Sequence, residues 1–223
     1  QSGSDWREGI SVDTQALQPL LDQISSQINR SSDNARFYFD DNTRQLVLIQ
    51  PAVIGRILDA QGSQQDIQAG LLRGDHAIPL RLVQAQPRVG DDASAASLGI
   101  NQLVYERTSY FRGSIPDRIQ NIVTASARFH GLLVPPNTTF SMAQALGDVS
   151  LDNGYAEAPI IYNGRSIQGV GGGVCQVSTT LFQTAFYGGY PIVERHPHTY
   201  RVRYYEENAT GYDINLVGLD ATV

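Results

Sequence analysis

The chain holds one cysteine, and its neighbours make it the residue best placed to do chemistry. Cys175 follows Gly171-Gly172-Gly173-Val174 and precedes an apolar stretch in which Val177, Leu181, Ala185 and Phe186 recur at helical spacing, until Gly188-Gly189 stops it. The spacing predicts a helix that starts at or near the cysteine. In a helix's first turn the backbone N–H groups lack intrahelical partners and face the positive end of the dipole, which favours a thiolate. The same N–H groups can hold the oxyanion of a tetrahedral acyl intermediate. Glycines carry no Cβ, so a substrate backbone can come close to the 171–173 loop. This pattern fits a cysteine nucleophile; a small cysteine filling the gap between a glycine turn and a helix fits it equally well.

A thiol nucleophile needs a base within hydrogen-bond reach. Of the four histidines, His76 lies in a different stretch of chain, and His130 falls on a helical segment as a core or capping residue. His196 and His198 enter a strand, in which alternation puts His198 on the face shared by Tyr200, Val202 and Tyr204, the less charged one. His198 is therefore preferred as base over His196, whose direction Pro197 obscures. Asp220, Asp213, Asn215, Glu194 or a backbone carbonyl could orient the imidazole, with Asp220 the first choice. Ser178 and Thr179 fall in the first helical turns as substrate donors or caps. Arg118 with Asn121, and Glu194 with Arg195, read as surface contacts rather than buried anchors.

Composition removes other chemistries. All 16 basic residues are Arg, so Schiff-base chemistry, a Walker A loop and a Ser–Lys dyad are excluded. The glycine run therefore cannot be a phosphate cradle of that kind. The His196-Pro197-His198 run with Cys175 lacks the usual zinc spacings, and no metal or cofactor is called for. A net charge of −6 argues against nucleic acid as partner and against a polybasic membrane arm. No apolar run is long enough to span a bilayer, and a single cysteine permits no internal disulfide. The chain opens on Gln1 without an initiator Met, which reads as a piece of a longer protein.

Two stretches must position these residues. Residues 10–89 read as a small α+β module, followed by a polar segment 88–97 that reads as a linker or long loop. In the module, Asp13 or Thr14 caps a helix through Leu17, Leu21, Ile24 and Ile28; Asn34–Phe39 and Gln45–Ile49 form a hairpin. Val53–Leu58 reads as a turn or short helix, Ser63–Leu72 as a helix ending at Gly74, and Ile78–Val83 as a strand. Residues 98–223 read as a mixed α/β, catalytic-type domain with an antiparallel sheet and the cysteine-bearing helix. There, Pro116–Leu133 is a helix, while Tyr190–Arg195, Thr199–Tyr205, Ile214–Val217 and Ala221–Val223 are strands.

The run from Gly171 to Leu181, with Arg118–Asn121, Phe140-Ser141-Met142, Gly154-Tyr155, Glu194-Arg195, His198 and the Gly218–Val223 ending, resembles the VanW-like family over about residues 101–223. Residues 10–89 resemble a peptidoglycan-binding domain that often precedes it. The resemblance implies an α+β protein at the extracellular face of a bacterial envelope, membrane-anchored through a segment outside these residues, with peptidoglycan or its stem peptides as partner. It further implies L,D-transpeptidase-like acyl transfer, with Cys175 as nucleophile and His198 as base; Asp220 as the third group comes from the residues alone. In that reading Gly171, Gly172, Gly173, Gln176, Ser178, Thr179, Arg195 and His196 contact the substrate; hydrolysis of the same thioester, or binding without catalysis, are the alternatives.

Overall fold

The computed structural model of the chain describes residue 13, residues 15–196 and, as backbone only, Asp213–Asn215. These form two compact units. One comprises the described residues up to Ala35 together with Pro51–Asp91; the other comprises Arg36–Gln50 and the described residues from Asp92 onward.

In the first unit a 3-10 turn, Gln15–Leu17, leads into α1 (Gln18–Ile28), with Asp13 Oδ1 accepting from the Gln15 N–H at 2.9 Å. Leu21 is the buried residue of α1, and Asn29 at its C-terminus accepts from the Leu58 N–H through Oδ1 at 2.7 Å. That bond ties α1 to β3 (Gly55–Leu58), which pairs antiparallel with β4 (Leu82–Ala85), placing Ile57 opposite Val83. Within residues 53–58, read from sequence as a turn or short helix, Gly55–Leu58 is therefore a strand; its partner lies about two dozen residues on and leaves no local periodicity. Between β3 and β4 runs α2 (Ala60–Arg73), capped by Asp59, which accepts from the Gly62 N–H, and ended by Gly74 in the left-handed region. Ser63 on α2 is fully buried, and its hydroxyl accepts from the Arg81 N–H at 2.9 Å. The strand starts at Leu82 and not at Ile78: Pro79 has no N–H to give a ladder, and the Arg81 N–H is taken by Ser63.

In the second unit β1 (Arg36–Asp40) and β2 (Gln45–Gln50) make the hairpin expected, closed by Asp40 Oδ1 accepting from the Asn42 N–H at 2.9 Å. Phe39 packs with Ala95 and Ile100, and Ala95 opens α3 (Ala95–Leu98), a single turn with reciprocal Ser94–Ser97 bonds. The polar stretch read as a linker thus ends in ordered, capped structure. Strand β5 (Thr108–Tyr110) precedes α4 (Pro116–Phe129), which stops at His130 and not at Leu133: His130 takes an extended conformation and Gly131 a left-handed one. Next come α5 (Met142–Leu146), capped by Ser141, and the hairpin of β6 (Glu157–Tyr162) and β7 (Arg165–Val170), which turns on Asn163-Gly164, both with positive φ. Helix α6 (Val174–Tyr187) follows, and β8 (Asp213–Asn215) pairs antiparallel with β5.

The core of this unit is α4 on α6: Ile122, Ala125 and Phe129 pack with Val177 and Leu181, joined by Phe111, Leu146 and Tyr155. Residues 190–196 form no strand, contrary to the sequence reading. Of the later strands, Ile214 belongs to β8, while Thr199–Tyr205 and Ala221–Val223 lie outside the described residues. Helices and two-stranded antiparallel sheets place the described residues in the α+β class. Among them no helix is long and apolar enough to cross a membrane.

Candidate functional site

The glycine loop is held by a side chain of α4. Asn121, fully buried, donates through Nδ2 to the carbonyls of Gly172 and Ala156, each at 3.0 Å, and accepts from the Ala156 N–H at 2.7 Å. It therefore fastens the loop after β7 to the residue that leads into β6. The loop needs glycine for two reasons. Gly171 and Gly173 have φ of +88° and +115°, which side chains rarely adopt. At Gly172 the obstacle is space, since a Cβ would lie 2.5 Å from the Pro159 carbonyl oxygen. A Cβ on Gly173 would meet Ile122 and the stem of Arg118, and one on Gly171 would meet Val149. On the side where a Cβ would stand, the chain itself occupies the room that the sequence reading gave to a substrate.

Cys175 is the second residue of α6 and is exposed at the surface. Two of the first-turn N–H groups are already used: Val174 donates to the Gly171 carbonyl and Gln176 to that of Gly173, both at 3.0 Å. Those two are not available to an oxyanion. Although the residue is exposed, the protein packed around its sulfur displaces water and pushes the thiol above its ordinary value; the Arg118 charge and the Cys175 N–H act in the other direction without overcoming it. The sequence expectation of a thiolate favoured at the helix start is thereby corrected: desolvation outweighs the helix terminus. Accordingly, alkylation of this single thiol should titrate with a midpoint above that of a free cysteine in the same buffer, measured by iodoacetamide rate against pH. A midpoint well below it would mean that the surroundings of the sulfur are more polar than described.

Behind the cysteine lies a polar network. Arg118 donates to Ser114 Oγ at 2.6 Å and to Gln176 Oε1 at 2.7 Å. Gln176 Nε2 donates in turn to the Tyr110 carbonyl at 2.8 Å and to Ser109 Oγ at 3.2 Å, and Ser109 shares a 2.6 Å bond with Thr180. Gln176 and Thr180 are fully buried. Gln176, expected to touch substrate, is thus sealed inside, with its acceptor and both donors engaged within the fold. Arg118 and Asn121 prove to be buried-side anchors, and not the surface contacts that their sequence suggested. The i, i+4 spacing of Gln176, Thr180 and Thr184 beside Val177 and Leu181 was the available signal, a polar stripe on the face that must be buried.

The remaining predicted residues are not gathered about the sulfur by any contact among the described residues. Ser178 and Thr179 are half-buried on α6. Arg195 stacks its guanidinium 4.6 Å above the Phe182 ring, and His196 is exposed, with its Nε2 2.6 Å from Glu194 Oε1. Glu194, one of the groups considered for orienting an imidazole, thus contacts His196. His198 and Asp220 lie outside the described residues, and Asp213 and Asn215 are described as backbone on β8, opposite Tyr110 and Thr108. His130 is exposed at the end of α4. Among the described residues no three His, Cys, Asp or Glu stand together as a metal site.

Two family models match the chain: "VanW like protein" over residues 117–223 and "Putative peptidoglycan binding domain" over residues 4–78. YoaR of Bacillus subtilis is 32% identical over 194 residues, covering 86% of this chain and 61% of YoaR. The vancomycin B-type resistance protein VanW of Enterococcus faecalis is 28% identical over 107 residues, covering 48% of this chain and 37% of that protein. The chain therefore spans about three fifths of the first relative and little more than a third of the second. No solved structure matches it. The VanW match takes in α4, the Asn121-held loop and α6, the parts that build the surroundings of Cys175; by these matches residues 117–223 are a VanW-like domain, preceded by a peptidoglycan-binding domain over residues 4–78.

Proposed function

We propose that this is a bacterial cell-wall protein in which the first domain binds peptidoglycan and the VanW-like domain performs cysteine-dependent, L,D-transpeptidase-like acyl transfer on stem peptides. The observation that carries this reading is an exposed cysteine in the first turn of α6, just after a loop fixed by Asn121 and within the influence of the Arg118 charge. In the reaction, an imidazole, His198 by preference, takes the thiol proton as Sγ bonds to the carbonyl carbon of the third stem residue. The C–N bond to the terminal D-Ala then breaks, its amine taking the proton from the imidazolium. An acceptor stem's amine attacks the thioester and releases the thiol. With the thiol raised above its ordinary value, this reading assigns the base to the step of attack. The protein works at the extracellular face of the envelope, its anchor supplied by another part of the full-length protein.

A second reading has its own support. The filled space about Gly172 and the raised thiol also suit a domain that binds peptidoglycan without cutting or joining it. Mass spectrometry of the protein with a tetrapeptide stem divides the two. The catalytic reading requires an acyl adduct on Cys175, lost in Cys175→Ala, that an added amine converts into cross-linked product and water into hydrolysed product. Retained muropeptide binding by both proteins, with no adduct on either, leaves the binding domain.

A further inference from the structure

We propose that the outer face of α6 holds the sugar chain of peptidoglycan: exposed aromatic rings at its C-terminal end stack on the N-acetylated sugars of a glycan strand, so that a stem still attached to that strand reaches Cys175. This deepens the acyl-transfer reading by naming glycan-linked stems as the substrate, and rests on that reading for its use; the binding it asserts is tested without it.

The face follows from the helix period. Cys175, Thr179, Phe182 and Phe186 are spaced i, i+4, i+7 and i+11, which keeps them on one stripe of α6. The opposite stripe, Val177, Thr180, Leu181 and Thr184, is the buried one. Along the outer stripe the chemistry passes from the thiol through a hydroxyl to rings. Phe182 and Phe186 stack with centroids 5.7 Å apart, Phe186 meets Tyr187 edge-on at 5.4 Å, and Tyr187 leans on Tyr105 at 5.8 Å. The four make one aromatic ribbon. Its middle is open, with Phe186 55% and Tyr187 59% exposed, more than rings of that size usually show. Arg195 lies over Phe182, 4.6 Å from the ring centre, and extends the ribbon with a plane edged by N–H donors.

Composition, context and length choose the occupant. Ring faces offer a flat apolar surface to the C–H groups of a sugar, and the Tyr187 hydroxyl and Arg195 N–H groups supply hydrogen-bond partners for its oxygens. The chain already carries a domain matched to peptidoglycan binding. Phe182 and Phe186 lie seven and eleven residues beyond Cys175, about 10 and 16 Å along the helix axis. Three extended stem residues cover about 10 Å, and the lactyl ether that joins the stem to its sugar adds to that reach. A sugar on the ribbon therefore brings the third stem residue to the cysteine's end of the stripe. A net charge of −6 weighs against an anionic membrane surface as the occupant.

Hydroxyl-radical footprinting of the full chain reads the oxidation of each ring by mass spectrometry, with and without glycan strands stripped of their stems by an amidase. With strands, Phe186 and Tyr187 should be oxidised several-fold more slowly, while Tyr162, 62% exposed at the end of β6, keeps its rate. Unchanged rates at Phe186 and Tyr187 at every strand concentration overturn the proposal. So does protection given only by phospholipid vesicles, or only by raising the protein concentration, which would assign the rings to a membrane or to a second copy of the chain. In the double variant Phe186→Ser, Tyr187→Ser, altered only at exposed positions, kcat/KM for glycan-linked stems relative to free stems should fall about tenfold. An unchanged ratio overturns the alignment with Cys175. Protection by strands with no adduct on any stem would keep the glycan site and remove the transfer reaction; adduct formation without protection would do the reverse.

Discussion

Asn121→Ala should destabilise the second unit by about 3 kcal/mol or more, a loss of the size expected from truncating a large core side chain. The variant removes the acceptor for the Ala156 N–H and the donor for the Gly172 and Ala156 carbonyls, and the residue is 0% exposed, so water does not readily replace it. Each buried group left without a partner costs about 1–3 kcal/mol, against a total domain stability of about 5–15 kcal/mol. One carbonyl is partly spared, since Ala156 also accepts from the Gly171 N–H at 3.1 Å. Asn121→Asp is the sharper variant. It keeps an acceptor for the Ala156 N–H but turns a carboxylate oxygen toward two carbonyl oxygens. Its folded pKa is thus raised above the unfolded one, so Asn121→Asp should be most stable below the unfolded carboxyl pKa and weaken as pH rises through the window between them. Urea unfolding of both variants, with the slope unchanged, reads the effect. A loss under about 1 kcal/mol in Asn121→Ala would show that the loop holds its place without this clamp.

The same residue shows what the sequence could and could not reveal. Asn121 sits mid-helix, where asparagine has no local reason to be, and its partners lie 35 and 51 residues further on. Nothing nearby in the chain discloses such a bond. Where structure is set locally, the reading was close: the Asp40 turn, the Gly74 stop on α2 and the Gly188-Gly189 end of α6 all follow from residues within a turn of the feature. Where it is set by distant pairing, the reading failed. β3 looked like a turn because its partner is β4, and α4 looked a turn too long because its end is decided by the backbone at His130 and Gly131.

The site divides along the same line. The cysteine, the glycine run and the helix behind them are adjacent in sequence, so their local arrangement was legible. Protonation was not. A helix start argues for a thiolate, and only the packing around the sulfur shows that desolvation runs the other way. Gln176 was placed with the substrate because it follows the cysteine, yet a helix turns about 100° per residue, and one step carries it from the exposed face to the fully buried one.

Gly172→Ala should cost about 2–3 kcal/mol, or prevent folding of the unit, although it adds only one methyl group. The added Cβ would lie 2.5 Å from the Pro159 carbonyl oxygen and 2.8 Å from the Ala158 carbonyl carbon and Cβ. These are atoms of β6, paired to β7 along its whole length, and no side-chain rotation relieves them. Gly164→Ala is the matched control. That glycine turns the β6–β7 hairpin with φ of +73° and has nothing within 4 Å of its Cβ position, so only backbone strain opposes the change, about 1 kcal/mol. Thermal or urea unfolding of the pair therefore separates steric from conformational demand. It also decides what the glycine run is for. If Gly172→Ala unfolds earlier than Gly164→Ala, the absent side chain at 172 serves the approach of the loop to β6, and a substrate must meet Cys175 from the solvent side of α6. If Gly172→Ala is as stable as wild type and loses only reaction with stem peptides, the space belongs to the substrate, and the loop lies further from β6 than its contacts with Ala158 and Pro159 require.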